Sequence, residues 1–142
     1  MAQSEISDDK IKAYEATHYR IGSGTGALVL RIGQHCPALS TRYGAICQRC
    51  GVFITAYNPF GQAQSDEANI SAHIRLRDHL RTLTPEVIDG DGTDPTGLWP
   101  PEESYFAFGI SEATARLLGR DFHQDAVVWV SDDAIPRLIL LR

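Results

Sequence analysis

The chain has 142 residues, 43% of them hydrophobic and 22% charged, with a formal net charge of −5 and a pI near 5.4. A length of this order matches one ordinary domain that buries a sizeable core without covalent staples, and three cysteines in a chain without an export signal argue against a disulfide framework. The acidic balance argues against duplex nucleic acid as a partner, no stretch approaches the ~20 apolar residues of a membrane span, and the start MAQSEISDDK lacks the basic-then-apolar layout of a signal peptide, so a single cytoplasmic domain over 1–142, away from membranes, is expected.

Residues 1–7 read as a loose tail. From Ser7 the run SDDKIKAYEA starts like a short helix, with Ser7 as N-cap and two acids in the first turn, where the helix dipole favours negative charge. HYRI and ALVLRI then flank Gly22 to Gly26. A phosphate-cradling loop there would need a helix to open directly afterwards, and ALVLRI has strand character, so the glycines predict a β-hairpin. The stretch HCPALSTRYG reads as irregular. VFITAY, Val52 to Tyr57, is rich in β-branched and aromatic residues and stops at Asn58-Pro59, as a buried strand would.

In SDEANISAHIRLRDHLRTL, Ser65 can cap, and Ala72, Leu76, Leu80 and Leu83 form a stripe at helical spacing that Pro85 ends. Arg75, Arg77 and Arg81 are interleaved with acids, which predicts a solvated mixed-charge face. EVID is a short strand candidate, GDGTDPTGLWPPEE a polar link, and SYFAFGI, Ser104 to Ile110, a further strand. Ser111 caps a second helix whose Ala115, Leu118 and Phe122 share a face, and AVVWV and RLILL close the chain as strands around DDAIP.

From Val52 onward the order is strand, helix, strand, strand, helix, strand, strand. That order predicts an α+β fold: a ferredoxin-like split β-α-β sandwich with an added N-terminal helix and β-hairpin, a three-layer α/β arrangement being the alternative. Val52, Ile54, Ala56, Leu76, Leu80, Phe106, Phe108, Leu118, Phe122, Val128 and Leu140 are the expected core.

The motifs of chemistry are sparse. Cys47 and Cys50 have zinc-knuckle spacing, but a site needs four ligands, the chain has no second Cys-x-x-Cys, and the neighbours His35 and Cys36 point apart, so the pair is expected to be structural and partly buried, with no metal or other cofactor. Asp89, Asp91 and Asp94 begin like a calcium loop but have Asp94 where the sixth position needs Gly and Pro100 where the twelfth needs Glu, which leaves turn chemistry. The histidines at 18, 35, 73, 79 and 123 do not pair at metal-binding helical spacing, and each reads as a surface or satisfied structural residue. Glu102 and Glu103 are the best carboxylates for catalysis, in an expected exposed loop.

Four signatures, YEATHYRI at 14–21, FITAYNPFG at 53–61 followed by Asn69, LWPPEES at 98–104 and FHQDAVVWV at 122–130, together resemble the bacterial domain-of-unknown-function family DUF3293. The resemblance runs from about Tyr14 to Leu141, implies no activity, and leaves the cysteines outside the family pattern. It singles out Tyr14, Thr17, Tyr19, Arg20, Thr55, Asn58, Asn69, Trp99, Glu102 and Gln124 as polar or aromatic candidates for a binding surface. Two functions follow as expectations. The first is a non-catalytic module that binds a small molecule or a protein through the surface around the Thr-Ala-Tyr-Asn-Pro turn. The second is a small enzyme in which Glu102 acts as acid or base while Arg20 and Asn58 position substrate. Capping and turn duties for Asn58, Asn69 and Gln124 are the plainer account of those three.

Overall fold

A computed structural model describes residues 6–22, 24–97 and 100–142. Three helices start where a serine can accept from the backbone three residues on. Ser7 Oγ accepts from Lys10 N ahead of α1 (Asp8–Ala16), Ser65 from Ala68 N ahead of α3 (Asp66–Leu83), and Ser111 from Thr114 N ahead of α4 (Glu112–Asp121). Between α1 and α3 lie β1 (His18–Ile21), β2 (Leu28–Leu30), α2 (Pro37–Ile46) and β3 (Gly51–Ile54). After α3 come β4 (Val87–Thr93) and β5 (Glu102–Phe108), and after α4 come β6 (Ala126–Val130) and β7 (Pro136–Leu140).

The strands form one antiparallel sheet in the order β2-β1-β4-β5-β3-β6-β7, curled into a half-barrel. The class is α+β. β5 lies between β3 and β4, the two strands that α3 connects, while the β1–β2 hairpin extends one edge and β7 the other.

Strand alternation divides the core in two. Val52 and Ile54 of β3, Tyr105 and Ala107 of β5 and Val127 of β6 meet Ala72, Leu76 and Leu80 of α3 and Ala115 and Leu118 of α4. The intervening residues, Phe53, Phe106, Phe108, Val128 and Val130, face the other way, onto Tyr19 and Ile21 of β1 and Leu39 and Tyr43 of α2. A two-layer sandwich has no counterpart of this second layer. Most of the expected core is buried, with two departures: Phe122 and Leu140 are partly buried, Ile139 taking the inward position on β7; Leu83, the last residue of the helical stripe, is 47% exposed.

Two stretches fold differently from the sequence reading. HCPALSTRYG contributes a helix, α2, which starts with Pro37 in the first turn and no side-chain cap. Its two inward residues, Leu39 and Tyr43, hold it to the sheet, Tyr43 by donating its hydroxyl to Val130 O at 3.0 Å and by meeting Phe108 edge-on. The second is Asp89 to Thr93, read as a turn, which instead continues β4 and pairs with β1 on one side and β5 on the other. Gly90 makes the close β1 approach possible, since a Cβ there would sit 2.3 Å from Arg20 O.

A candidate binding cavity beneath the N-terminal helix

The pleat sends the adjacent acids of β5 to opposite sides of the sheet. Glu103 goes to the α3 side, where its carboxylate accepts from the Tyr57 hydroxyl at 3.1 Å and lies 3.8 Å from His73 Nε2. Glu102 goes to the other side, the one α1 covers. There, at the end of the sheet where β3 finishes and β5 begins, a cavity of about 640 Å³ opens between α1, the Asn58–Gly61 turn and the sheet. Its floor is apolar, with Phe53, Val128 and Leu138, and its rim is polar.

Seven of the ten residues singled out from the sequence line this cavity: Tyr14, Thr17, Tyr19, Thr55, Asn58, Glu102 and Gln124. Asn69 stands behind it. Its Oδ1 accepts from Asn58 N at 2.9 Å and its Nδ2 donates to Asn58 Oδ1 at 3.1 Å, which fixes the turn rather than facing the cavity. Arg20 is elsewhere, on the outward side of β1, bidentate to Asp91 with both contacts at 2.7 Å. Trp99 lies outside the described residues.

Glu102 is half-buried at the start of a strand, where an exposed loop was expected. Burial pushes its pKa above the ordinary carboxylate value, and the 2.8 Å hydrogen bond from Asn58 Nδ2 and the nearby Lys10 charge only partly offset this. Glu102 Oε1 receives no hydrogen bond from a described residue. Gln124 spends its amide hydrogens on Tyr57 O and Phe122 O, both at 3.2 Å, satisfying backbone as the plainer account has it.

The turn is held in an uncommon shape. Asn58, Phe60 and Gly61 all have positive φ, at 47°, 55° and 73°, and for a residue as bulky as Phe this is a true outlier. Phe60 N donates to His123 O at 2.7 Å, and the Arg142 guanidinium lies 4.3 Å above its ring. Sequence reading missed the group that ties α1 to this turn. The side chain of Asp125, 1% exposed, accepts from Lys10 Nζ and, at 2.7 Å, from Arg142, and Lys10 Nζ also donates to Phe60 O at 3.1 Å. Burial raises the Asp125 pKa, but these two cations outweigh it and hold the carboxyl below its ordinary value. Burial and the charge of Asp125 in turn push the Tyr14 phenol well above its ordinary value. Gly61 lets Lys10 pass, because a Cβ there would lie 2.3 Å from Lys10 Nζ. Asp125 sits inside FHQDAVVWV and Gly61 inside FITAYNPFG, two of the motifs that carry the family resemblance.

Other candidate groups lie apart from the cavity. Cys47 caps the C-terminus of α2 in the left-handed region and is exposed, not partly buried, while Cys50 is half-buried with its thiol donating to Ile110 O at 3.3 Å. Both thiols are free, and no group of three His, Cys, Asp or Glu side chains converges among the described residues. His73 is no surface histidine: it stacks on Tyr105 at 4.2 Å, and its buried Nδ1 has no hydrogen-bond partner among the described residues. No helix among the described residues is long and apolar enough to cross a membrane.

The family model described as "Protein of unknown function (DUF3293)" matches residues 54–127, from the last residue of β3 into β6, slightly more than half of the chain. The chain belongs to the DUF3293 family. The matched segment contains the Asn58–Gly61 turn, Asn69, Glu102 and the Gln124-Asp125 pair, whereas α1, which closes the cavity, precedes it. No curated protein and no solved structure matches the chain.

Proposed function

We propose that this DUF3293 domain binds a small organic molecule in the cavity beneath α1, as a non-catalytic module. The observation that carries the reading is the meeting, in one apolar-floored cavity of about 640 Å³, of seven side chains from four separate stretches of sequence around a half-buried carboxylate. Against catalysis stands the state of the hydroxyls. Thr17, Tyr19, Thr55 and Ser104 each donate to a backbone carbonyl of the protein, so none is paired with a base that would activate it as a nucleophile.

The enzyme reading has one favourable observation, the raised pKa of Glu102 within a cavity, which suits a general acid or base. It lacks Arg20, which is committed to Asp91 outside the cavity. A thermal-shift screen against metabolites, nucleotides and metals tests the binding reading. A ligand at 100 times its Kd stabilises the folded chain by about 2.7 kcal/mol, and Ala13→Trp on α1, which fills the cavity, is expected to abolish the shift. A shift that survives Ala13→Trp places the ligand elsewhere and refutes the proposal.

A further inference from the structure

We infer that the cavity selects ligands carrying a hydrogen-bond-donating cation, an ammonium or amidinium group on an apolar body, with Glu102 as its counter-ion. The inference rests on the cavity reading above and adds the ligand's chemistry. It comes from an inventory of which hydrogens and lone pairs the protein leaves unspent.

Most donors facing the cavity are already used, the Tyr14 hydroxyl on Asp125 among them. Thr17 donates to Ala13 O at 2.7 Å, Tyr19 to Tyr14 O at 2.6 Å, Thr55 to Glu103 O at 2.7 Å and Ser104 to Glu102 O at 3.0 Å. Tyr57 donates to the Glu103 carboxylate, and both amide hydrogens of Gln124 go to backbone carbonyls. Each hydroxyl has one hydrogen, so what these groups still offer is lone pairs. Two of the three Lys10 hydrogens and one of the two Asn58 amide hydrogens are likewise committed, to Asp125, Phe60 O and Glu102. A ligand entering here meets more lone pairs than hydrogens and gains by bringing donors of its own, because a buried acceptor or donor left unmatched costs free energy on binding.

Charge points the same way. Among the described residues the carboxyl and ammonium side chains that line the cavity are those of Asp9, Glu102 and Lys10. Lys10 is neutralised by the buried Asp125, whose side chain is turned to it. Among the described residues Glu102 receives one side-chain hydrogen bond, from the Asn58 amide to Oε2. A cation seated against Glu102 supplies a hydrogen-bonded charged partner where only the nearby charge of Lys10 now acts on that carboxylate, and its donors match the surrounding lone pairs. An anion would meet the Glu102 carboxylate, and the Lys10 ammonium on the lining is already paired with Asp125.

The test compares three probes that share one apolar body: n-hexylammonium, n-hexanol and n-hexanoate, titrated into the full chain at neutral pH and about 0.15 M salt, where long-range charge is screened. Binding is read from methyl chemical shifts of Ala13 and Ala63, which line the cavity. Hexylammonium is expected to bind at least about tenfold more tightly than hexanoate, as one charge-assisted hydrogen bond provides, and Glu102→Gln is expected to bring the two within about threefold of each other. If hexanol and hexanoate move these methyls at concentrations as low as hexylammonium does in the wild-type chain, the ligand class is wrong while the cavity stands as a binding site. A preference for hexylammonium that survives Glu102→Gln also overturns the inference, since it then reflects the net charge of the chain. If none of the three moves the methyls, the cavity reading falls and this inference with it.

Discussion

Replacing Asp125 by Asn removes the charge that draws α1, the Asn58–Gly61 turn and Arg142 together, while keeping the shape of the side chain. Each hydrogen bond to a charged group contributes roughly 1.5–3 kcal/mol, and Asp125 receives two, from Lys10 and Arg142. Those cations retain 33% and 36% exposure of their side chains, so on losing the carboxylate they regain much of their hydration, and the simple sum must be discounted. A net loss of about 2–3 kcal/mol is expected, equivalent to a fall in Tm of roughly 6–12 °C for a chain of this size. Denaturant unfolding at pH 7 measures the loss, and amide hydrogen exchange locates it, with protection falling more in α1 than in α4. The dependence on pH carries a second signature. The folded carboxyl has a pKa below its unfolded value, so its contribution is complete above the ordinary aspartate range and is lost as pH falls through that range towards the lowered folded value. Asp125→Asn should therefore flatten the acid limb of the stability curve. A cost under about 0.5 kcal/mol, with exchange in α1 unchanged, would refute the claim that Asp125 anchors that helix.

Glu102→Gln is expected to act in the opposite sense. Because burial raises the folded pKa of Glu102, its ionisation weakens the fold as pH rises past the unfolded value, so the variant should be more stable than wild type at pH 7 and equal to it near pH 4, as paired melts at the two pH values will report. Phe108→Ala, at a fully buried position edge-on to Tyr43 and Phe106, should cost about 3–5 kcal/mol in denaturant unfolding. Gly90→Ala should part β1 from β4 and lower exchange protection along that pair, since the new methyl meets Arg20 O. The double replacement of Cys47 and Cys50 by Ser should shift stability by no more than about 1 kcal/mol. Stoichiometric zinc in the purified wild-type protein, lost together with the fold on chelation, would contradict that expectation.

Much of the fold was legible because its signals are local. Ser7, Ser65 and Ser111 announce three helix starts through hydrogen bonds that span three residues, and the stripe Ala72, Leu76, Leu80 states which side of α3 meets the sheet. α2 was illegible for the converse reason. It has no side-chain cap, a glycine at position 44 and only two inward side chains, so it is helical through contacts with Phe108 and Val130 that lie more than sixty residues away in the chain. The strand at Asp89–Thr93 has glycine and aspartate where β-propensity is poor, and it is extended because β1 and β5 present their backbones on either side.

The candidate site divides along the same line. By itself the sequence determined which short motifs belong together and hence which side chains to watch, seven of which line one cavity. Glu102 and Glu103 read as loop acids in the sequence, and their parting to opposite faces follows from the strand β5 that takes them in. Only the tertiary structure decided which of the two faces the cavity, that Arg20 is withdrawn to Asp91, and that Lys10, Asp125 and Arg142 form one anchor. Those outcomes depend on pairing between residues 71, 115 and 17 positions apart, and on which groups are shielded from water once the sheet has curled. A side chain's unspent hydrogens and lone pairs exist only after such pairings are made, which is why the chemistry of the cavity could be read from the folded chain alone.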